Sequence, residues 1–133
     1  MSEVIIGNIK VIDLKRKSNG LKLFALTSEH RDDDFPQHPI PKNFITDGAT
    51  IPKFLRKIIS PTGDLFRASI PHDYFYVSKV ISRRKADSIF RKIVLDDTGN
   101  WFLAYGSWLV LRSCGWYYWS ATKSLKAQMY NPQ

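Results

Sequence analysis

A strand-rich beginning and a helical remainder mark this chain as one α+β domain, with residues 1–46 forming the sheet part and 47–133 the helical part. Three observations carry that expectation. Short apolar runs bounded by turn residues crowd the first third of the sequence. Later segments are apolar at helical spacing, or nearly all round. No repeat or low-complexity linker separates the parts, and 133 residues suit one hydrophobic core rather than two.

The elements follow in order. Val4 to Ile6 and Ile9 to Leu14 are apolar-rich, and Leu21 to Leu26 alternates apolar with other residues. Asn19-Gly20 between them supplies the positive φ values of a tight hairpin. Ser28 to Lys42 is a polar, proline-bearing loop, and its run Asp32, Asp33, Asp34 reads as a solvated turn before a cation site. Phe44 to Thr46 is a short strand entering TDGATIP, and Pro52 then suits the first position of a short helix, Pro52 to Ile59. Ser60-Pro61 and Thr62-Gly63 mark a turn. DLFRASIPHDYFYV is mostly helical, with Pro71 beginning a helix or kinking one.

The clearest helix runs from Arg83 to about Leu95, capped by Ser82, with Ala86, Ile89, Phe90, Ile93 and Val94 on one buried face. Asp97-Thr98-Gly99-Asn100 ends it. A second long helix spans Trp101 to Trp119. Being apolar nearly all round, it is expected to lie centrally in the core or to offer an aromatic face to a partner.

Composition narrows the function classes. With 44% hydrophobic and 24% charged residues the chain is not of disordered type. A net charge of +8 favours acidic partners such as nucleic acid or anionic lipid head groups. The basic residues are dispersed and the cluster Arg83-Arg84-Lys85 is short, so nucleic-acid binding is not expected. Cys114 is the only cysteine, which excludes an intramolecular disulfide and suits a reducing compartment. MSEVIIGNIKV lacks a basic region followed by a long apolar run, so no signal peptide is expected. The run Trp101 to Ala121 is long enough to span a membrane, but Arg112 and its Ser, Gly and Tyr residues favour an interfacial or buried helix. His30, His38 and His72 occur without H-E-x-x-H or a cysteine cluster, against a zinc peptidase.

Three separated segments can converge on chemistry. His72 offers an imidazole near neutral pH as general base, and Tyr76 lies one helical turn further on the same face. Asp73 points elsewhere and is available for a cation. Asp87 sits at the edge of the apolar face of its helix, where a half-buried carboxylate needs a partner. Arg91, four residues on, would make an ordinary helix ion pair. His72 on a neighbouring helix would instead have its tautomer and orientation fixed. The tight connection from Val77 to Ile81 makes antiparallel packing of those helices natural. In TDGAT, Gly48 permits a sharp turn exposing carbonyls beside the Asp47 carboxylate, a mixture that holds Ca²⁺, or equally a plain strand-to-helix turn.

The order FITDGATIP, SPTGDLFRASIPHDYFY, SRRKADSIF and an aromatic helix ending in Cys114-Gly115 resembles the "domain of unknown function 1353" family over roughly Leu21 to Trp119. That family is common in bacteriophages and prophages and carries no established activity. More distantly, TDxxT, P-x-G, HDxxY and an aspartate on the next helix resemble the small bacterial and fungal phospholipases A2. That resemblance implies His72 as general base, Asp87 as its orienting carboxylate and Tyr76 steadying that carboxylate. It further implies Ca²⁺ held by Asp73, Asp47 and the Gly48 carbonyl. The sequence departs from those enzymes at Ala49 and Ser69, near where a disulfide would anchor, in a His72-to-Asp87 connection shorter by about two helical turns, and at Pro71.

The expected function is therefore a Ca²⁺-dependent lipid ester hydrolase acting at an anionic membrane surface, for which the aromatics Trp101, Phe102, Trp108, Trp116, Tyr117 and Trp119 are suited. The alternative is a non-catalytic phage virion or host-interaction protein that keeps the scaffold. Either would act in the host cytoplasm or in the virion.

Overall fold

The structure is a computed structural model describing residues 3–18, 21–46, 52, 55 and 65–131. Four strands, β1 (Glu3–Ile6), β2 (Ile9–Ser18), β3 (Leu21–Leu26) and β4 (Ile45–Thr46), form one antiparallel sheet in sequence order. Three α-helices with both ends among the described residues follow: α1 (Phe66–Ser78), α2 (Arg83–Thr98) and α3 (Trp101–Ala121). The fold is α+β, as the sequence implies.

Gly7 at φ 63 closes the β1–β2 hairpin, where Ile6 pairs with Ile9. β2 runs past the expected end at Leu14. It does so through a bulge between Asp13 and Lys17, where Lys15 takes a φ of 57 and donates its amide to Asp13 Oδ1. Ser18 pairs with Leu21 across the expected hairpin, whose Asn19-Gly20 lies outside the described residues. The loop after β3 is pinned by mutual backbone bonds between His30 and Ile40.

The core sits between this sheet and α1. Phe24 meets Phe66, Phe35 meets Phe75 and Phe44 meets Tyr74, each edge to face at 5.3 Å. Of the 13 residues of α1, 11 are buried, so α1 is the central helix. Pro71 lies inside it, neither beginning nor ending it. α2 buries the five residues its periodicity marks and continues one turn beyond Leu95 to Thr98. Ser82 caps it by accepting from the Lys85 amide, and Gly99 at φ 64 ends it. Asn100 caps the next helix rather than closing this one, accepting from Leu103 N.

Of the two placements expected for α3, central in the core or offering an aromatic face, the central one is corrected. The helix is laid on the outside, burying Ala104, Ser107, Leu111 and Gly115, and it exposes Trp101, Phe102, Leu109, Trp116 and Tyr117. No helix among the described residues is long and apolar enough to cross a membrane. The helix expected over Pro52–Ile59 lies outside the described residues except for Pro52 and Leu55, both buried.

Candidate functional site

α1 and α2 pack antiparallel, with Arg67 meeting Asp97 at one end and His72 meeting Phe90 and Asp87 further along. Four-residue spacing puts His72 and Tyr76 on one face of α1, and both reach the same acceptor. His72 Nε2 is 2.9 Å from Asp87 Oδ1, and the Tyr76 hydroxyl donates to that oxygen at 2.7 Å. The second oxygen, Oδ2, accepts from Arg112 Nη1 of α3 at 2.9 Å and from Arg83 Nη1 of α2 at 3.3 Å. The His72 and Asp87 side chains have 0% exposure. One carboxylate thus holds the crossing of all three helices, with about four acceptor sites for four donors.

The electrostatics follow from that arrangement. Burial pushes Asp87 up, but the His72 ring, the Tyr76 hydroxyl and Arg112 outweigh it and hold its carboxyl below the usual range. Tyr76 moves the other way, pushed well above its usual value by burial and by the charge on Asp87. An ionised carboxylate only accepts, so the bond to Asp87 sets the proton of neutral His72 on Nε2 and leaves Nδ1 as the basic nitrogen. The ring is wedged between Tyr76, at 4.0 Å between centroids, and Phe90 at 5.4 Å.

Asp73 points away from this junction. Its Oδ2 accepts from Thr46 Oγ1 at 2.6 Å, which ties α1 to the last residue of β4. Asp47 follows directly in sequence, but Asp47 and Gly48 lie outside the described residues. Among the described residues no three His, Cys, Asp or Glu side chains gather as cation ligands. The described residues therefore supply one carboxylate of the expected Ca²⁺ site, fewer than the six to eight oxygens such an ion takes.

Arg91 is not the partner of Asp87. Its guanidinium stacks on Tyr105 and Trp108, 4.9 and 4.7 Å from their centroids. The partners are Arg83 and Arg112, which the sequence argument did not single out. Arg83 stands four residues before Asp87, the mirror spacing of Arg91. Arg112 is the sole charge in the 21 residues of α3, and a lone cation on an apolar helix signals a buried acid elsewhere. Gly115 completes the site: a Cβ there would come within 2.5 Å of the Tyr76 hydroxyl and 2.9 Å of Arg83 Nη1.

The Asp32–Asp34 run is not a bare solvated turn. The Asp34 amide donates to Asp32 Oδ1, while Arg67 meets Asp32 and Lys92 meets Asp34.

A search of curated proteins and a search of solved structures found no match. The family described as "Protein of unknown function (DUF1353)" matches residues 24–109, a stretch that takes in the second half of β3, β4, all of α1 and α2, and the first nine residues of α3. Both members of the buried His72–Asp87 pair lie within it, and the chain belongs to that family.

Proposed function

We propose that this chain is a hydrolase of carboxylic esters of the phospholipase A2 type, with His72 as general base and Asp87 and Tyr76 as its positioning residues. The observation that carries this is the 2.9 Å contact of His72 Nε2 with a fully buried carboxylate that Tyr76 also meets. Such a carboxylate keeps the basic lone pair on Nδ1 and stabilises the imidazolium that forms. His72 Nδ1 takes a proton from water as the oxygen attacks the ester carbonyl carbon. The tetrahedral intermediate then expels the alkoxide, which receives that proton. The net charge of +8 supports anionic lipid as substrate, and a phage protein acting on a bacterial envelope accords with the family likeness. Asp73, Asp47 and Gly48 are the residues proposed for Ca²⁺, on the strength of that likeness and of the Asp73–Thr46 bond beside Asp47.

The test is fatty acid release from phosphatidylglycerol vesicles, with Ca²⁺ and with EDTA. His72→Gln and Asp87→Asn are each expected to lower the rate by at least about 10²-fold. Equal release from wild type and both variants would sink the proposal.

A second reading has its own support. The His72 and Asp87 side chains are fully buried, and both Asp87 oxygens are already engaged, two of the partners being arginines. That network can hold three helices together with no substrate, as in a non-catalytic virion or host-interaction protein. On that reading the thermal midpoint ignores EDTA and no ester is cleaved. A Ca²⁺-dependent rise in midpoint would count against it.

A further inference from the structure

α3 carries an outward seam that the described residues leave uncovered. Phe102, Gly106, Leu109, Ser113, Trp116 and Ser120 follow at spacings of 4, 3, 4, 3 and 4, the period that keeps a stripe facing a partner helix. All six are exposed, Phe102 at 93%, Leu109 at 60% and Trp116 at 61%. The seam alternates a large side chain with a small one. With aromatics at about 150–250 Å² each, and Trp101 and Tyr117 on its flanks, the exposed fractions amount to on the order of 700 Å² of apolar surface. That exceeds the roughly 300–600 Å² of the largest patch on a typical monomer and approaches the ~800 Å² per partner of a standard interface.

Gly106 is the second observation. Mid-helix glycine costs about 1 kcal/mol relative to alanine, and within this chain a Cβ there would meet nothing within 4 Å. Gly115 by contrast is filled against Tyr76 and Arg83. The missing side chain at Gly106 therefore has no explanation among the described residues, and close approach from outside supplies one. The serine hydroxyls do not oppose such an approach. Ser113 Oγ donates to Leu109 O and Ser120 Oγ to Trp116 O, so both are turned back onto their own helix.

We propose that α3 pairs antiparallel with α3 of a second copy of this chain. The order of residues on the seam selects this occupant. About a two-fold axis at the level of Leu111, Phe102 lies opposite Ser120, Gly106 opposite Trp116, and Leu109 opposite Ser113. Every large residue then meets a small one, the self-complementarity that a two-fold interface requires. A lipid-facing stripe needs no such alternation.

The test is the solution mass of the full chain by light scattering at tens of micromolar. Wild type is expected at twice 15.4 kDa. Gly106→Leu has open space within its own chain, so it folds, but it sets large against large and raises the dimer dissociation constant at least about tenfold. Adding Trp116→Ala restores large against small and restores the dimer. A wild type that stays at 15.4 kDa, a Gly106→Leu chain that dimerises undiminished, or a monomer that sediments with phosphatidylglycerol vesicles would each overturn the proposal. His72→Gln should dimerise like wild type, so loss of ester hydrolysis and loss of pairing are separable.

Discussion

Two groupings of histidine, aspartate and arginine lean on α1, and they use the same residue types to opposite ends. At the first, Asp87 is the hub, with His72, Tyr76, Arg83 and Arg112 converging on it. At the second, Arg67 is the hub. It grips Asp97 through Nε and Nη2 at 2.8 and 2.9 Å, and its Nη1 reaches Asn8 and Asp32. His30 Nε2 stands 3.5 Å from Asp32 Oδ2 without an aligned hydrogen bond. A carboxylate hub fixes an imidazole's tautomer and shares out charge among donors. An arginine hub stays protonated throughout, its pKa raised further by Asp97, and so acts as a brace. The first grouping can orient an imidazole, and the second can only fasten.

Truncating each hub tests that contrast most strongly. Asp87→Ala leaves an imidazole, a phenol and two guanidiniums without their acceptor in a closed site, and the cost should be about 3–5 kcal/mol. Arg67→Ala frees Asp97 and Asp32 at a rim where water can replace the lost bonds, for about 1–2 kcal/mol. Urea unfolding of the two variants beside wild type compares them directly. A larger loss at Arg67 would reverse the hierarchy.

Each grouping is also guarded by a glycine. Alanine at 115 would drive its Cβ into the Tyr76 hydroxyl and Arg83, two atoms already fixed by Asp87, at about 1–3 kcal/mol. At Gly7 the added Cβ would run into Arg67 Cδ, on a backbone with φ at 63. That flexible side chain can yield, so Gly7→Ala should cost about 1–2 kcal/mol, chiefly the left-handed backbone. Equal unfolding midpoints for the two variants would show the buried junction to be as yielding as the surface brace.

Periodicity carried the sequence argument where one element decides its own environment. The α2 face, the Ser82 cap and the pairing of β2 with β3 all follow from local spacing, and so does the shared face of His72 and Tyr76. The two arginines on Asp87 did not follow, since Arg112 comes from α3 and only three-helix packing brings it there. The position of α3 was left open between core and outside for a related reason. Its buried stripe, Ala104, Ser107, Leu111 and Gly115, is small rather than strongly apolar, and hydropathy does not distinguish that stripe from the aromatic side. The Arg67 brace joins a hairpin turn, a loop and two helices, and no spacing in the sequence announces it.

Acidification separates the groupings most finely, with the smallest expected change. Burial holds His30 below its ordinary value of 6.5, against the opposing pull of Asp32 and with Arg67 adding to the lowering. A lowered histidine binds its proton more readily in the unfolded chain. Stability is then full above about pH 6.5 and falls as the pH drops through the lowered value. Asp87, with its carboxyl depressed, has linkage of the same sign in a lower window: its contribution is present above the ordinary 3.8 and is lost only as the pH falls below that. Urea midpoints followed from pH 7.5 to 3 should therefore decline in two stages. His30→Gln should flatten the decline below pH 6.5, and Asp87→Asn should flatten only the one below about pH 4. If His30→Gln leaves the upper decline unchanged, a group other than His30 owns it and the brace does not report through its histidine.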